Sequence, residues 1–258
     1  MKRELYNTFV LSVLAGLMIG FGGVIYLMCA NKMVGALLFS FGLLTIVCQG
    51  FALYTGRIGY FRQYGIWSIL TTIVGNFVGT WLVAKGFSLS RHTVDVASVV
   101  APKLADSSLS VLLLSIGCGA MMYLAVDSYR KSKSWLFVIM PIVIFILSGF
   151  EHSIANMFYL SLAGEWGWDA IRITAIAIVG NGIGSWLLNA SNFTLKDRKC
   201  QDKIRKTPID KFSSFDKVEI HLSCVYERPF QGLCPIPHKP FEKGLIENFT
   251  TILRIAIP

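Results

Sequence analysis

The chain has 258 residues, of which 54% are hydrophobic and only 15% are charged. Soluble domains are roughly 45–50% apolar and about 25% charged. The mean hydropathy of +0.58, with the apolar residues concentrated before residue 190, therefore excludes an ordinary soluble domain and predicts an integral membrane protein.

Six membrane spans are predicted from apolar stretches long enough to cross the bilayer, which takes about 20 residues. They lie at residues 8–30, 33–56, 64–85, 108–127, 135–162 and 169–190. The first stretch is longer than the apolar core of a signal peptide, so we predict that it is retained as a span. The second and fifth spans are interrupted, at "CQGFALYTGRIGY" and "GFEHSIAN". Such irregular backbone at membrane depth requires surrounding protein or a water-filled cavity.

The sequence also repeats itself. "VGNFVGTWL" at 74–82 and "VGNGIGSWL" at 179–187 share the pattern V-G-N-x-x-G-[ST]-W-L. Each copy closes a group of three spans, at about 8–85 and 108–190, with its interrupted span in the middle. An odd number of spans turns the second copy upside down. We therefore predict an all-α membrane protein of six transmembrane helices in two inverted three-helix repeats, an architecture that forms substrate sites near the bilayer midplane.

The distribution of basic residues predicts the orientation. If the N-terminus is cytoplasmic, the inner segments carry ten lysines and arginines and the outer segments five. This asymmetry favours both termini in the cytosol. It also accounts for the net charge of +9 without nucleic acid, since no basic motif interleaved with aromatic residues is present.

The polar tail, residues 191–258, is predicted to be a cytosolic extension that is disordered or weakly ordered. It holds six of the eight prolines and shows no sustained amphipathic period. The six cysteines of the chain are scattered and lack the spacing of a metal site. Neither a metal nor a cofactor is expected.

Three polar residues interrupt the fifth span: Glu151, His152 and Asn156. Ionisable groups at membrane depth are costly and mark functional sites by default. On a helix His152 and Asn156 share a face, whereas Glu151 points about 100° away from His152. One hypothesis has His152 facing a pore while Glu151 supports the broken backbone or a neighbouring helix. A histidine packed between helices remains the alternative.

Asparagines recur at the same place in both repeats, as Asn76 and Asn181. They are candidate neutral donors to a solute, or else they hold the helices together by hydrogen bonds. Several large side chains lie near the interruptions and could form constrictions that gate by dewetting, or could be ordinary packing residues. These candidates are Phe39, Leu43, Leu53, Tyr54 and Phe145.

Together, "GFEHSIANMF", "KMVGALLFSFGL", "ALYTG" and "VGNGIG" resemble the formate/nitrite transporter family over residues 1 to about 192. The resemblance implies a homopentamer in the bacterial inner membrane, with an aquaporin-like protomer and one pore through each subunit. It also implies small monovalent anions as substrates: formate, nitrite or hydrosulfide.

The resemblance assigns roles to individual positions as well. His152 matches the family's central histidine, Asn181 its lumenal asparagine and Thr55 the threonine of its broken second helix. Lys103 matches a lysine near the outer vestibule. The constriction residues match Phe39 and Leu43 on one side, and Leu53 and Phe145 on the other.

These assignments lead to a transport hypothesis. Lys103 attracts the anion, and His152 donates a proton or a hydrogen bond to it between constrictions where a bare anion is costly. A neutral-solute channel of the aquaporin type is an alternative, although the paired Asn-Pro-Ala motifs of that class are missing from the sequence. An intramembrane enzyme with Glu151 and His152 as acid and base is disfavoured, because adjacent residues diverge on a helix.

Overall fold

The computed structural model describes the backbone of residues 2–206 and the side chains as far as residue 191. Within this range the chain is helical and contains no β-strand. Its helices are Lys2–Met28 (α1), Lys32–Gln49 (α2), Tyr54–Arg57 (α3), Phe61–Tyr64 (α4), Ile66–Ser88 (α5), Ala97–Ala105 (α6), Ser108–Ser132 (α7), Leu136–Leu147 (α8), Ser153–Ala163 (α9) and Trp168–Lys206 (α10). A 3₁₀ turn, Ile58–Tyr60, joins α3 to α4.

Five of these helices, α1, α2, α5, α7 and α10, are long and apolar enough to cross a membrane. The shorter apolar helices α8 and α9 follow one another and together form the interrupted fifth span. Large apolar side chains cover the outer surface, among them Phe41, Trp67, Leu109, Trp135 and Val179. Such an apolar exterior suits contact with lipid, and the predicted all-α, multi-pass membrane fold is confirmed.

Several predicted boundaries differ from the structure. Helix α1 begins at Lys2 instead of near residue 8. After its break, the second span continues only as two short helices, α3 and α4. Helix α10 continues to Lys206, past the predicted end at residue 190. The prediction stopped too early because the second half of this helix is polar and has no apolar pattern. The rest of the predicted tail, residues 207–258, lies outside the described residues.

At two helix crossings the backbones of the two helices are in direct contact. In the first repeat α1 crosses α5, where a Cβ added to Gly79 would lie 2.2 Å from the carbonyl oxygen of Val13. In the second repeat α7 crosses α10, where a Cβ at Gly184 would lie 2.0 Å from the carbonyl oxygen of Ile116. Only glycine allows the helices to approach this closely. The glycines of the repeated motif therefore set the distance between helices in both halves.

The surroundings of these crossings are equivalent in the two repeats. Gly75 faces Ser12, and Gly180 faces Ser115; an added Cβ would meet the serine Cβ at 2.5 Å in both cases. The motif of the sequence thus corresponds to the same three-dimensional contact in the two halves, which supports the predicted internal repeat.

Gly79→Ala is expected to lower stability by about 1–3 kcal/mol, because the added methyl group meets backbone atoms that have no room to move. Gly86→Ala, on the same helix, meets nothing within 4 Å. That control is expected to be neutral or slightly stabilising, since alanine is the better helix former. Thermal unfolding of the two purified variants in detergent checks the difference, and equal melting temperatures would contradict the crossing described here.

Candidate functional site

The two broken helices share one backbone design. Each break contains a glycine in the left-handed conformation, Gly50 with φ of 71° and Gly149 with φ of 68°. The next residue, Phe51 or Phe150, donates its N–H to the carbonyl five residues earlier, at 2.9 and 3.0 Å. The helix before each break therefore ends in the same way, with a turn whose N–H group bonds a carbonyl of the last helical turn.

The following residue of each break reaches a neighbouring helix. Ala52 donates its N–H to the carbonyl of Leu11 in α1 at 3.2 Å, and Glu151 donates its N–H to the carbonyl of Leu114 in α7 at 3.3 Å. Both residues are buried, so each of these backbone groups needs a protein partner. The breaks are thus fastened to the first helix of their own repeat.

Asn76 completes the first break. Its amide nitrogen donates to the carbonyls of Ser12, at 2.7 Å, and Ala52, at 2.8 Å. Its amide oxygen accepts the N–H of Tyr54 at 2.8 Å. One fully buried side chain therefore binds α1, the broken segment and the start of α3 together.

Asn181 does the same in the second break. Its amide nitrogen donates to the carbonyls of Ser115 and Glu151, both at 2.8 Å, and its oxygen accepts the N–H of Ser153 at 2.9 Å. Both amide hydrogens are therefore used by the protein. Of the two roles considered for this asparagine, the geometry favours hydrogen bonding within the bundle over donation to a solute.

His152 lies at the end of the second break as the N-cap of α9. Its Nδ1 accepts the N–H of Ala155 at 3.1 Å, so the hydrogen of the neutral ring is on Nε2. Nε2 lies 3.1 Å from the hydroxyl oxygen of Thr55 on α3. In this tautomer His152 donates to Thr55, and the two predicted pore residues, one from each repeat, are in direct contact.

Aromatic rings close the space beside His152. Its imidazole stacks on the ring of Phe145 with centroids 5.7 Å apart, and Phe145 meets Phe39 edge to face at 6.2 Å. His152 is 2% exposed, and none of the four predicted constriction residues exceeds 3%. A passage wide enough for water would expose these side chains, so no such passage is open beside His152.

Leu43 and Leu53 complete the set of predicted constriction residues and belong to the same buried cluster. Leu53 is the N-cap of α3, the position that His152 has before α9. Unlike His152, it makes no side-chain hydrogen bond to the helix that follows. The apolar cap and the polar cap thus occupy equivalent places in the two repeats.

Glu151 lies in a chain of polar contacts. The ammonium group of Lys103 is 2.7 Å from one carboxylate oxygen, and the amide of Asn156 donates to the other oxygen at 2.7 Å. Lys103 comes from α6, a helix of the loop between the repeats that packs against α9. The lysine charge expected to attract an anion is therefore already paired with a carboxylate.

Tyr54 also has a structural contact. Its hydroxyl donates to the carbonyl of Ile178 in α10 at 2.8 Å, while its N–H is held by Asn76. The first break is thereby tied to the last helix of the second repeat. This bond fixes the direction in which α3 leaves the break, and with it the position of Thr55.

Six spans in two inverted halves, with broken helices that meet around a buried polar pair, define a helical membrane protein of the channel and transporter class. The model of the formate/nitrite transporter family matches residues 1–195. The chain belongs to this family, and the resemblance of its motifs is confirmed.

Individual relatives agree with this assignment. The formate channel FocA of Escherichia coli (strain K12) is 28% identical over 222 residues, covering 73% of this chain and 75% of that protein. FocA of Haemophilus influenzae is 29% identical over 155 residues, 51% of this chain and 54% of that protein. A probable formate transporter of Methanothermobacter thermautotrophicus is 28% identical, with coverage of 70% and 87%. These relatives are channels and transporters, not enzymes.

Solved structures show the same fold. An FNT family ion channel matches with a TM-score of 0.65 at 22% identity, covering 74% of this chain and 90% of that chain. A pentameric formate channel with formate bound matches with a TM-score of 0.63 at 21% identity, covering 76% and 98%. The arrangement of the spans is therefore that of a known channel fold.

Sequence reasoning missed the equivalence of the two breaks themselves. Aligned on their glycines, "GFALYTG" from residue 50 and "GFEHSIA" from residue 149 share only the Gly-Phe pair. The structure nevertheless gives the two segments matching backbone contacts. The Gly-Phe pair was the available signal, and it identifies Ala52–Leu53 as the counterpart of Glu151–His152.

Asn76→Asp is expected to destabilise the protein by several kcal/mol, since two carbonyl groups lose their donor and face a carboxylate in a buried site. Asn31→Asp is the matched control. The Asn31 side chain only accepts hydrogen bonds, from the N–H groups of Met33 and Val34, and aspartate caps a helix equally well. Thermal unfolding in detergent should therefore show a large loss for the first variant alone. Similar losses in both variants would contradict the role given to Asn76.

Lys103→Met is expected to cost about 3–5 kcal/mol, because it leaves the Glu151 carboxylate buried without its counter-charge. Adding Glu151→Gln should recover most of this loss, since the site is then neutral again. Lys131→Met removes a half-exposed lysine paired with Asp127 and should cost no more than about 1 kcal/mol. A double-mutant cycle measured by unfolding tests the coupling, and additive losses would show that the two groups act independently.

Proposed function

We propose that this protein transports a small monovalent anion, formate or nitrite, through a pore in each protomer of a homopentamer. Hydrosulfide is the alternative substrate. Support comes from the family, from relatives described as formate channels and from the likeness to a pentameric formate channel. The excess of basic residues in the inner segments supports an orientation with both termini cytoplasmic. The bacterial formate channels among the relatives support a bacterial inner-membrane location.

The observation that carries the proposal is a chain of hydrogen bonds that ends at Thr55. The N–H of Ala155 donates to Nδ1 of His152, and Nε2–H of His152 donates to the Thr55 oxygen. The hydroxyl hydrogen of Thr55 has no acceptor in the described part of the chain. Hydrogen bonds in such a chain polarise one another, which makes the last donor stronger. Thr55 thus offers an anion a neutral donor backed by the imidazole.

The position of α9 adds to this donor. Its N-terminus begins at Ser153, next to His152, and the N-terminal end of a helix carries a partial positive charge. Ion sites at the ends of broken helices are typical of inverted-repeat transporters. An anion beside Thr55 would therefore be stabilised by the helix end as well as by the hydroxyl group.

The geometry favours His152 as a hydrogen-bond donor over His152 as a proton donor. To become charged, the ring must take up a proton on Nδ1, which at present accepts the N–H of Ala155. Charging would therefore remove the N-cap of α9 and leave that N–H without a partner. A neutral ring keeps both contacts and still polarises Thr55.

The substrate must still pass the rings beside His152. Because Phe39 and Phe145 close the passage here, conduction requires one of these side chains to move. Apolar walls strongly disfavour a bare anion unless donors replace its water. The Thr55 hydroxyl, next to these walls, supplies such a donor.

Thr55→Val is expected to reduce formate flux by about 10- to 100-fold, the range given by losing one hydrogen bond to a charged group. Valine keeps the shape of threonine and removes only the hydroxyl. Thr55→Ser keeps the hydroxyl and is the matched control, with flux close to that of the unmodified protein. Stopped-flow measurements on proteoliposomes, in formate and in nitrite, check the difference.

His152→Asn extends the test to the imidazole. Asparagine is a good N-cap, so α9 should remain intact while the donor to Thr55 is lost. We expect flux to fall about as far as in Thr55→Val. Unchanged and pH-independent anion flux in His152→Asn would remove the histidine from the mechanism.

A further inference from the structure

Two tyrosines outside the site described above have hydroxyl groups without a protein partner. Tyr159 lies on α9 and is only 7% exposed, whereas Tyr26 lies near the end of α1 and is partly exposed. Among the side chains that the structure describes, no hydrogen-bond partner is found for either hydroxyl. A buried tyrosine hydroxyl usually has a partner, because leaving it without a hydrogen bond costs stability. These two hydroxyls are therefore available to a molecule from outside the chain.

The two tyrosines lie beside the constriction, where α1, α2 and α9 meet. Gly22 of α1 lies against Phe39 of α2, since an added Cβ would be 3.3 Å from the Phe39 ring. Tyr26 follows Gly22 by four residues, one helical turn nearer the end of α1. Tyr159 is close enough to Tyr26 for the two phenols to interact electrostatically. Because α1 ends outside in the predicted orientation, the pair lies on the outer side of Phe39.

The charged groups near this pair offset one another. Tyr159 follows Asn156 by three residues and lies on the same face of α9. The Glu151 carboxylate is within electrostatic range of Tyr159, but Lys103 pairs with one of its oxygens and Asn156 donates to the other. The negative charge therefore has its counter-ion already. An anion beside the two phenols meets hydrogen-bond donors without facing an unpaired carboxylate.

We propose that Tyr26 and Tyr159 form a binding site for a small monovalent oxyanion at the outer approach to the passage. Each O–H donates to an oxygen of formate or nitrite, and hydrogen bonds to an ionised acceptor are stronger than those between neutral groups. The positive edges of the two rings add to the attraction. The site holds the anion outside Phe39, before it reaches Thr55. This inference rests on the proposed function for its place on the transport path, whereas the binding of the anion is independent of transport.

Flux from a defined side tests the site, in variants that remove only a hydroxyl group. Tyr159→Phe is expected to raise the half-saturating formate concentration on the outer side about tenfold, the loss of one hydrogen bond to a charged group, with the inner side unchanged. Tyr26→Phe should act in the same direction. Tyr6→Phe removes a hydroxyl from an exposed tyrosine at the other end of α1 and is the matched control.

Thermal unfolding separates a binding role from a structural one. Because the Tyr159 hydroxyl has no protein partner, Tyr159→Phe is expected to melt at the same temperature as the unmodified protein or slightly higher. A lower melting temperature with unchanged half-saturation would show that the hydroxyl supports the fold, and would overturn the proposal. Equal flux in Tyr159→Phe and Tyr6→Phe would overturn it as well. Should Tyr159→Phe fail to assemble, Tyr26→Phe decides, since its ring is partly exposed.

Binding is measured separately by saturation-transfer NMR on the proton of formate, with the purified full-length protein in detergent. Thr55→Val serves as the background, because it lacks the hydroxyl donor beside His152. We expect a signal in this variant that persists when Tyr6→Phe is added and is lost when Tyr26→Phe and Tyr159→Phe are added. A tyrosine-dependent signal in a protein without flux would keep the site and remove the transport function. Flux in the unmodified protein, with a signal insensitive to both tyrosines, would do the opposite.

Discussion

The structure depends on one constraint: the backbone of a broken helix inside a membrane must find all its hydrogen-bond partners within the protein. Asn76 and Asn181 meet this requirement with three hydrogen bonds each, in matching places of the two repeats. Each connects the first helix of its repeat to the break and to the helix that follows. The starts of α3 and α9, which position Thr55 and His152, are fixed by these two side chains.

The function proposed here arises from the differences between two halves that share one backbone plan. Where the first break has Ala52 and Leu53, the second has Glu151 and His152. The common scaffold brings these positions to equivalent places, so the same design supplies an apolar cap in one half and a polar cap in the other. Thr55 contributes the hydroxyl that receives the hydrogen bond of His152. Neither half could form this pair alone.

Much of the fold could be predicted from the sequence, since long apolar stretches and glycine interruptions are local signals. The six spans, the two breaks and the repeat all follow from such patterns. The role of Asn181 does not, because a residue type in a helix does not say whether its amide faces a passage or a carbonyl of the next helix. The pairing of Lys103 with Glu151 is equally hidden, since the two are far apart in the sequence and belong to different helices.

The pairing of Lys103 with Glu151 also bears on how tightly an anion is held near His152. A free carboxylate beside the start of α9 would repel an anion, and a free lysine there would bind it strongly. In the structure the two charges offset each other, and Asn156 occupies the second carboxylate oxygen. Under the proposed function, the groups left to meet the anion are a neutral hydroxyl and a helix end, which attract an anion only moderately. Conduction requires binding that is favourable enough to admit the ion and weak enough to release it, and the proposed function relies on neutral groups of this kind for that balance.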